Sequence, residues 1–372
     1  MDPSLATLRG RRVLLTGHTG FKGGWLALWL RHLGADVVGI ALPPPPGPSL
    51  HAAIGGDGLL DSRIADIGDA AAFDAALGDF DAEIVIHMAA QAIVRRSYAA
   101  PLETLQTNVV GTAVVLEAAR RMPSLRAIVV VTSDKCYENN EWDWGYRESD
   151  PMGGADPYSA SKGCTELIAA AYRRSYFSGP GTARLATARA GNVFGGGDWA
   201  VDRLVPDLAR AAASGVPVSI RNPASIRPWQ HVLEPLHGYL MLAAALLRDG
   251  DRHAGAWNFG PDPDGVVDVG TLAGLVRDHW GPGGPAMQLG DVAAGSLHEA
   301  QLLRLDTTKA RTRLGWQPRL DLAASVRLTV DWYRAHAAGA DMRDFSQRQL
   351  DAFAGGAPAH VTEPMGDLRQ CA

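Results

Sequence analysis

A short apolar run, Val13-Leu14-Leu15, leads straight into Thr16-Gly17-His18-Thr19-Gly20-Phe21-Lys22-Gly23, and an apolar helical pattern follows at once. Few folds accommodate that order. Three glycines spaced by two residues let the chain turn tightly at Gly17, bring bare backbone toward a phosphate at Gly20, and pack the helix on the strand at Gly23. The open N–H groups at such a helix start suit the pyrophosphate of a dinucleotide. The spacing differs from the Gly-x-Gly-x-x-Gly of the two-domain dehydrogenases. Thr19, Phe21 and Lys22 share the loop and join Gly17, Gly20 and Gly23 as candidate cofactor contacts.

Strand-like and helix-like segments alternate through the first half. Strands are expected at 13–16, 36–42, 83–88, 127–132 and 183–188, and helices at 23–33, 71–77, 104–121 and 157–176. This alternation argues for an α/β chain: a Rossmann-type doubly wound parallel sheet, covered on both faces, with ligands at the carboxyl ends of its strands. After Arg189 the pattern changes. A Gly195-Gly196-Gly197-Asp198-Trp199 loop precedes a helix over 204–214, and 222–231 is rich in proline, tryptophan and arginine. An irregular Gly/Pro-rich stretch runs over 260–284, and a final amphipathic helix over 323–336. We read 1–190, with about 229–258, as the NAD-binding domain. Residues 191–228 and about 259–354 form a smaller mixed α/β substrate-binding domain, and 355–372 a loose tail.

The chain has 372 residues, enough for a large core, and 47% of them are apolar. A net charge of −5 offers no reason to expect nucleic acid. Cys136, Cys164 and Cys371 are too few and too scattered for a disulfide framework or a zinc site, so no metal is expected. No apolar run is long enough to span a bilayer, and 1–12 lacks a secretory stretch. A cytoplasmic enzyme without membrane or nucleic-acid partners is expected. Lysine occurs only at Lys22, Lys135, Lys162 and Lys309, against a background of arginine. Lysine can give up its proton in a protein and arginine cannot, so these positions stand out.

Tyr158-Ser159-Ala160-Ser161-Lys162 places a phenol and an ammonium on one helix face. A free tyrosine has a pKa of about 10, so phenolate at neutrality needs about 4 kcal/mol of preference. Lys162 and a positive nicotinamide ring are expected to supply it. The strand 127–132 ends in Thr132-Ser133-Asp134-Lys135, which gathers hydroxyl, carboxylate and ammonium at the edge where such sheets bind ligands. Asp66 and Ile67 are placed to edge an adenine ring, and Ala89-Ala90-Gln91 to admit a ribose. Asn108 is included among the cofactor contacts. The second strand runs into Ala41-Leu42-Pro43, neither the acid that suits NAD nor the arginine that suits NADP. NAD is taken as the cofactor, with NADP not excluded.

In order, the glycine loop, Thr132-Ser133, Tyr158 and Lys162 resemble the extended short-chain dehydrogenase/reductase superfamily. Ser133-Asp134-Lys135-Cys136-Tyr137, Trp142-Asp143-Trp144-Gly145-Tyr146, Asp150-Pro151-Met152-Gly153-Gly154 and the Gly195–Trp199 loop narrow the resemblance to the CDP-glucose 4,6-dehydratases. So do Ile226-Arg227-Pro228-Trp229-Gln230-His231-Val232 and Lys309-Ala310 with Leu314-Gly315-Trp316, the resemblance running over about 11–334. It implies tightly held NAD and a redox-neutral loss of water from CDP-glucose or a related nucleotide sugar. Tyr158 and Lys162 would start the oxidation at C4, Ser133 would steady the 4-oxygen, and Asp134 would be the general acid. Lys135 stands where related dehydratases carry the glutamate that removes the C5 proton; the alternative is that Lys135 orients Asp134. Gln91, Asn192, Arg203, Leu204, Arg227 and His231 are expected at the sugar and phosphates. A homodimer packed through helices is implied, with a tetramer as the alternative. The double apolar stripe of helix 104–121 (Leu105, Val109 and Leu116 against Val110 and Val114) agrees with such packing. The rivals are another nucleotide-sugar dehydratase or 4-epimerase of this fold, and a non-catalytic dinucleotide sensor.

Overall fold

A computed structural model describes residues 2–290 and 302–356. Residues 291–301 and 357–372, the latter holding Cys371 and most of the expected 355–372 tail, lie outside the described residues, and Gly355 ends a helix.

Six strands build most of the main sheet: β1 (Arg12–Thr16), β2 (Asp36–Ala41), β3 (Asp61–Ile64), β4 (Ile84–His87), β5 (Ala127–Val131) and β6 (Arg184–Ala190). The smaller sheets use β7 (Asn192–Phe194), β8 (Val218–Ile220) and β9 (Ile226–His231). Then β10 (Gly255–Phe259) returns to the main sheet, before β11 (Val266–Asp268) and β12 (Met287–Leu289) complete the set. The main sheet has seven strands in the order β10-β6-β5-β4-β1-β2-β3, every pair parallel. The chain reverses direction of travel between β1 and β4, so the ligand crevice opens above their carboxyl ends.

Alternation along the strands explains why helices cover both faces. Val13, Leu15, Ile84, Ile86, Ala127 and Val129 enter one core with Trp25, Trp29, Leu236 and Leu240. Leu14, Val85, Ile128 and Val130 enter the other with Phe73, Val115, Leu116 and Phe177. Side chains on successive strand residues point to opposite faces, so each strand feeds both cores. The helices Phe21–His32 and Leu233–Asp249 therefore lie on one side of the sheet. Ala70–Leu77, Gly111–Ala119 and Pro157–Ser175 lie on the other.

Three sequence expectations change. The helix over 104–121 is broken into Pro101–Leu105, a π-turn Gln106–Val110 and Gly111–Ala119. The Gly/Pro-rich stretch over 260–284 contains a helix, Val269–Trp280, started by Asp268, whose carboxylate accepts from Thr271 N–H, and buried along Leu272, Ala273 and Val276. The helix Leu322–Ala337 is followed by another, Met342–Gly355, whose Phe353 folds back against Trp29 and His237.

Beyond the main sheet, β7 and β9 run parallel and β11 antiparallel in a three-stranded sheet, and β8 pairs with β12. Lys309, at the end of the chain's lysine series, donates from Nζ to Ala256 O at 2.6 Å and sits 4.3 Å above the Trp257 ring. It pins edge strand β10 and belongs to the scaffold.

Candidate active site

The glycine turn is close-packed. Gly17 has φ +81°, and a Cβ there would lie 2.8 Å from Ala89 Cα. At Gly23 a Cβ would lie 2.0 Å from Gly17 O, inside any real contact. Gly20 caps the helix Phe21–His32 with no side-chain bond to the helix N–H groups, and the first turn carries no acid. Those free donors and the helix dipole fit a pyrophosphate, and the bare backbone at Gly17 and Gly20 lets it approach.

The loop beyond β4 is fixed by a buried chain of hydroxyls around His87. Thr16 Oγ1 accepts from Met88 and Ala89 N–H, each at 3.1 Å, and donates to His87 Nδ1 at 2.7 Å. Thr112 Oγ1 donates to Asn108 O, so His87 must donate from Nε2 to Thr112 Oγ1. Burial keeps this ring neutral, its pKa driven down to about 3. Gly17, Thr19, Gly20, Phe21, Lys22, Gly23, Asp66, Ile67, Ala89, Ala90, Gln91, Thr132 and Lys162 line one continuous cavity above β1 and β4.

Asn108 is not on that wall. Its side chain accepts from Gln91 N–H at 2.8 Å and donates to Gln91 O and Ser161 Oγ, so it ties the loop to the helix Pro157–Ser175 from within the π-turn. Gln91 reaches the cavity, yet its amide is engaged with Ile93 and Thr104.

A second cavity is lined by Asn192, Arg203, Leu204, Ser219, Ser225 and Arg227 among others, and a third brings Lys135 together with Tyr137, Asn192, Arg203 and Arg227. Phe21, Lys22 and Arg203 line both the first and the second. Arg203 is held by the buried Asp198 at 2.8 Å. The contributions of Asp198, Ser219 and Ser225 were not read from the sequence. A carboxylate five residues before Arg203 was the signal for the first, whereas the serines sit in a stretch with no motif. His231 does not reach these cavities. It is fully buried edge-on to Trp25 and Phe194, with its ring kept neutral by burial, the pKa near 3. It shares the face of Arg227 and Trp229 on β9, but at the end of the strand that face is covered by Trp25 and Phe194, so His231 packs in the core and not against a ligand.

The reactive cluster lies at the carboxyl end of β5. Tyr158, from the first turn of Pro157–Ser175, is 8% exposed. Burial drives its phenol up to about 12, opposed by the Ser133 hydroxyl and the Arg203 charge, while Asp134 adds to the rise. Ser133 and Arg203, which the sequence pattern did not suggest for this role, are groups that favour phenolate here. Lys162 points its Nζ toward Val131 O at 3.5 Å, and burial lowers it to about 8 with Glu166 as the counterweight. Asp134 is 2% exposed; Ser133 Oγ donates to its Oδ1, and its Oδ2 has no partner. Burial raises its carboxyl above the usual range, against the pull of Lys135 and Ser133.

Behind the cluster stands a network the sequence did not suggest. Glu166 accepts from Thr132 and Thr187 and receives a two-pronged bond from Arg189, at 2.9 and 2.8 Å. Arg189 also donates to Tyr137 OH, which in turn donates to Asn258 Oδ1. Strand β6, the helix and the Ser133–Tyr137 loop are thus locked together. Among the described residues no group of three or more His, Cys, Asp or Glu could hold a metal ion, and no helix is long and apolar enough to cross a membrane.

A seven-stranded parallel sheet, a glycine turn feeding a helix start, and a buried Tyr/Lys pair beside Ser and Asp define a dinucleotide-dependent enzyme of the short-chain dehydrogenase/reductase type. The chain belongs to the NAD dependent epimerase/dehydratase family, whose model matches residues 13–260. It is 46% identical over 349 residues, 93% of this chain and 96% of the relative, to the CDP-glucose 4,6-dehydratase of Salmonella typhimurium. The UDP-glucose 4-epimerase of Mycolicibacterium smegmatis is 30% identical, covering 87% of this chain and 98% of that one. Among solved structures, a double mutant of the dTDP-glucose 4,6-dehydratase DesIV from Streptomyces venezuelae, with NAD bound, superposes with a TM-score of 0.72 at 25% identity, covering 89% of this chain and 99% of that one.

Proposed function

We propose that this chain is a CDP-glucose 4,6-dehydratase, a hydro-lyase that converts CDP-glucose to CDP-4-keto-6-deoxyglucose and water with NAD retained. Identity of 46% across nearly all of both chains supports the substrate. The observation that carries the reaction type is Asp134, a buried acid with one oxygen unpartnered, beside the Tyr158 phenol. An epimerase needs the phenol, the lysine and a hydroxyl; an elimination also needs an acid for the leaving oxygen.

NAD, when bound, would supply the hydride acceptor for oxidation at C4 and the hydride donor for C6. Tyr158 removes the proton of the 4-hydroxyl, with Lys162, Ser133 and Arg203 favouring its phenolate. The resulting ketone acidifies C5–H. Lys135 takes that proton, while Asp134 protonates the 6-hydroxyl and water leaves. Lys135 then returns a proton to C5. The proton gained by Tyr158 offsets the one lost by Asp134, so the cycle closes. Glycine-turn residues 17, 20 and 23 and the helix start would hold the cofactor, and Asn192, Arg203 and Arg227 the diphosphate, where charge-assisted bonds are strongest. We assign the main-sheet body to NAD, and residues 191–228 and about 259–354 to the nucleotide sugar.

Exposed apolar side chains on the outer helices support a homodimer: Leu102 is 81% exposed, Val110 43% and Leu167 61%. Light scattering on Leu167→Arg and Leu102→Arg should give a smaller particle than the wild type. Cys136 and Cys164 as free thiols agree with a cytoplasmic setting.

Purified protein offered a panel of CDP-, dTDP- and UDP-glucose, read by mass spectrometry, should remove 18 Da fastest from CDP-glucose with no net NADH. Equal loss from another nucleotide sugar, or a C4 epimer without loss of mass, would favour the nearest rivals.

A further inference from the structure

We propose that Lys22 is a substrate-binding cation at the junction of the two ligand cavities, held by Tyr239 until the diphosphate of the nucleotide sugar takes its ammonium over. The assignment rests on the reading that the second cavity holds a nucleotide sugar.

Lys22 lies in the first turn of Phe21–His32, where side chains commonly face solvent. Here Nζ turns inward, donates to Tyr239 OH at 3.0 Å on the helix Leu233–Asp249, and sits 5.1 Å above that ring. With Phe21 and Arg203 it lines both the dinucleotide cavity and the cavity of Asn192 and Arg227. The charged groups that face it come from every neighbouring element: Lys162 from Pro157–Ser175, Arg203 before Leu204–Ser214, and Asp134 from the turn after β5. Lys22, Lys162 and Arg203 stand against two buried acids, Asp134 and Asp198, the second paired with Arg203, which leaves one positive charge in surplus. That surplus suits an anionic ligand. The helix N–H groups serve the dinucleotide pyrophosphate, which leaves the Lys22 ammonium, a compact charge on a flexible stem, to reach the other diphosphate.

Burial, Lys162 and Arg203 together hold the ammonium down to about 7. An arriving diphosphate favours the charged form, so binding above neutrality draws in a proton. A lysine partly neutral in the free site and kept charged in the complex takes up more proton at pH 8 than at pH 6. A lysine that merely braces Tyr239 takes up none.

The test is calorimetric titration of CDP into NAD-saturated protein, in buffers of different ionisation enthalpy at pH 8 and pH 6. Lys22→Arg keeps the cation without the titration; its proton uptake at pH 8 should be smaller than that of the wild type while CDP still binds. Lys22→Met should bind CDP about 10- to 100-fold more weakly. Equal proton uptake by wild type and Lys22→Arg overturns the assignment, as does undiminished CDP affinity in Lys22→Met. Lys22→Arg decides the matter alone if Lys22→Met fails to fold. Wild-type protein that turns over no nucleotide sugar and binds no CDP overturns the nucleotide-sugar reading and this assignment with it, whereas normal turnover with unchanged uptake in Lys22→Arg overturns this assignment alone.

Discussion

Ser133 donates its hydroxyl to Asp134 Oδ1 at 2.9 Å, and the other carboxyl oxygen of Asp134 is buried near Gly191, where a Cβ would lie 3.2 Å from it. One oxygen is anchored and the other lies buried without a partner against Gly191 and Pro228. Such an acid is oriented to give its proton in one direction. Asp134→Asn preserves the anchor and removes the proton. Turnover should fall about 10²- to 10⁴-fold, while oxidation at C4 persists, so absorbance at 340 nm should rise on mixing with CDP-glucose and stay high. Turnover at the wild-type rate would remove Asp134 from the acid role.

The glycine turn separates packing from ligand approach. Gly23→Ala drives a Cβ into Gly17 O and should cost both folding stability and retained NAD. Gly20 has φ −80° and its Cβ would have Gly17 O at 3.4 Å as its nearest neighbour, an ordinary contact. Gly20→Ala should therefore melt near the wild type yet lose NAD affinity. Chromatography of denatured protein for released NAD, with thermal melting alongside, reads both; a Gly20→Ala protein that keeps its full NAD content contradicts the phosphate assignment.

Glu234 makes stability depend on pH. Its Oε1 accepts from Arg319 and Leu320 N–H, its Oε2 is buried without a partner, and burial lifts the carboxyl to about 7. Between its ordinary value of 4.5 and about 7 the folded state holds the proton more tightly than the unfolded chain. Stability therefore falls as pH rises through that window, by about 3 kcal/mol at most. Glu234→Gln keeps the acceptor and cannot ionise. It should melt higher than wild type at pH 8 and lose that advantage by pH 5; parallel melting curves across pH would contradict this.

Arg189 and Glu166 are 3% and 5% exposed and bond through two prongs. Arg189→Met strands a buried carboxylate and should cost about 3–5 kcal/mol in urea unfolding, part of it recovered in the Arg189→Met, Glu166→Gln double variant. A loss below about 1 kcal/mol would mean that the pair is not holding β6 to the helix.

How far these features could be read from the residues depended on chain distance. The glycine turn, the strand end at Thr132–Asp134 and the Tyr158/Lys162 spacing are local patterns, and each stood in the sequence as it stands in the fold. The inward course of Lys22 depends on Tyr239, 217 positions away, and no local pattern reports it. Arg189 and Glu166 meet because β6 packs under the helix Pro157–Ser175, a tertiary fact. Asn108 and His231 carried ligand-type chemistry, but a π-turn spends the first on the scaffold, and Trp25 and Phe194, distant in sequence, cover the second. The helix Val269–Trp280 was hidden by flanking glycines and prolines, although Asp268 and the Leu272–Val276 spacing were there to see.

The central claim is that one bound intermediate lends a hydride from C4 and recovers it at C6. CDP-glucose carrying deuterium at C4, incubated with the enzyme in ordinary water, should give a 4-keto-6-deoxy product with that deuterium in the C6 methyl group. Product lacking the label, or label recovered in solvent or in released NADH, would contradict the account.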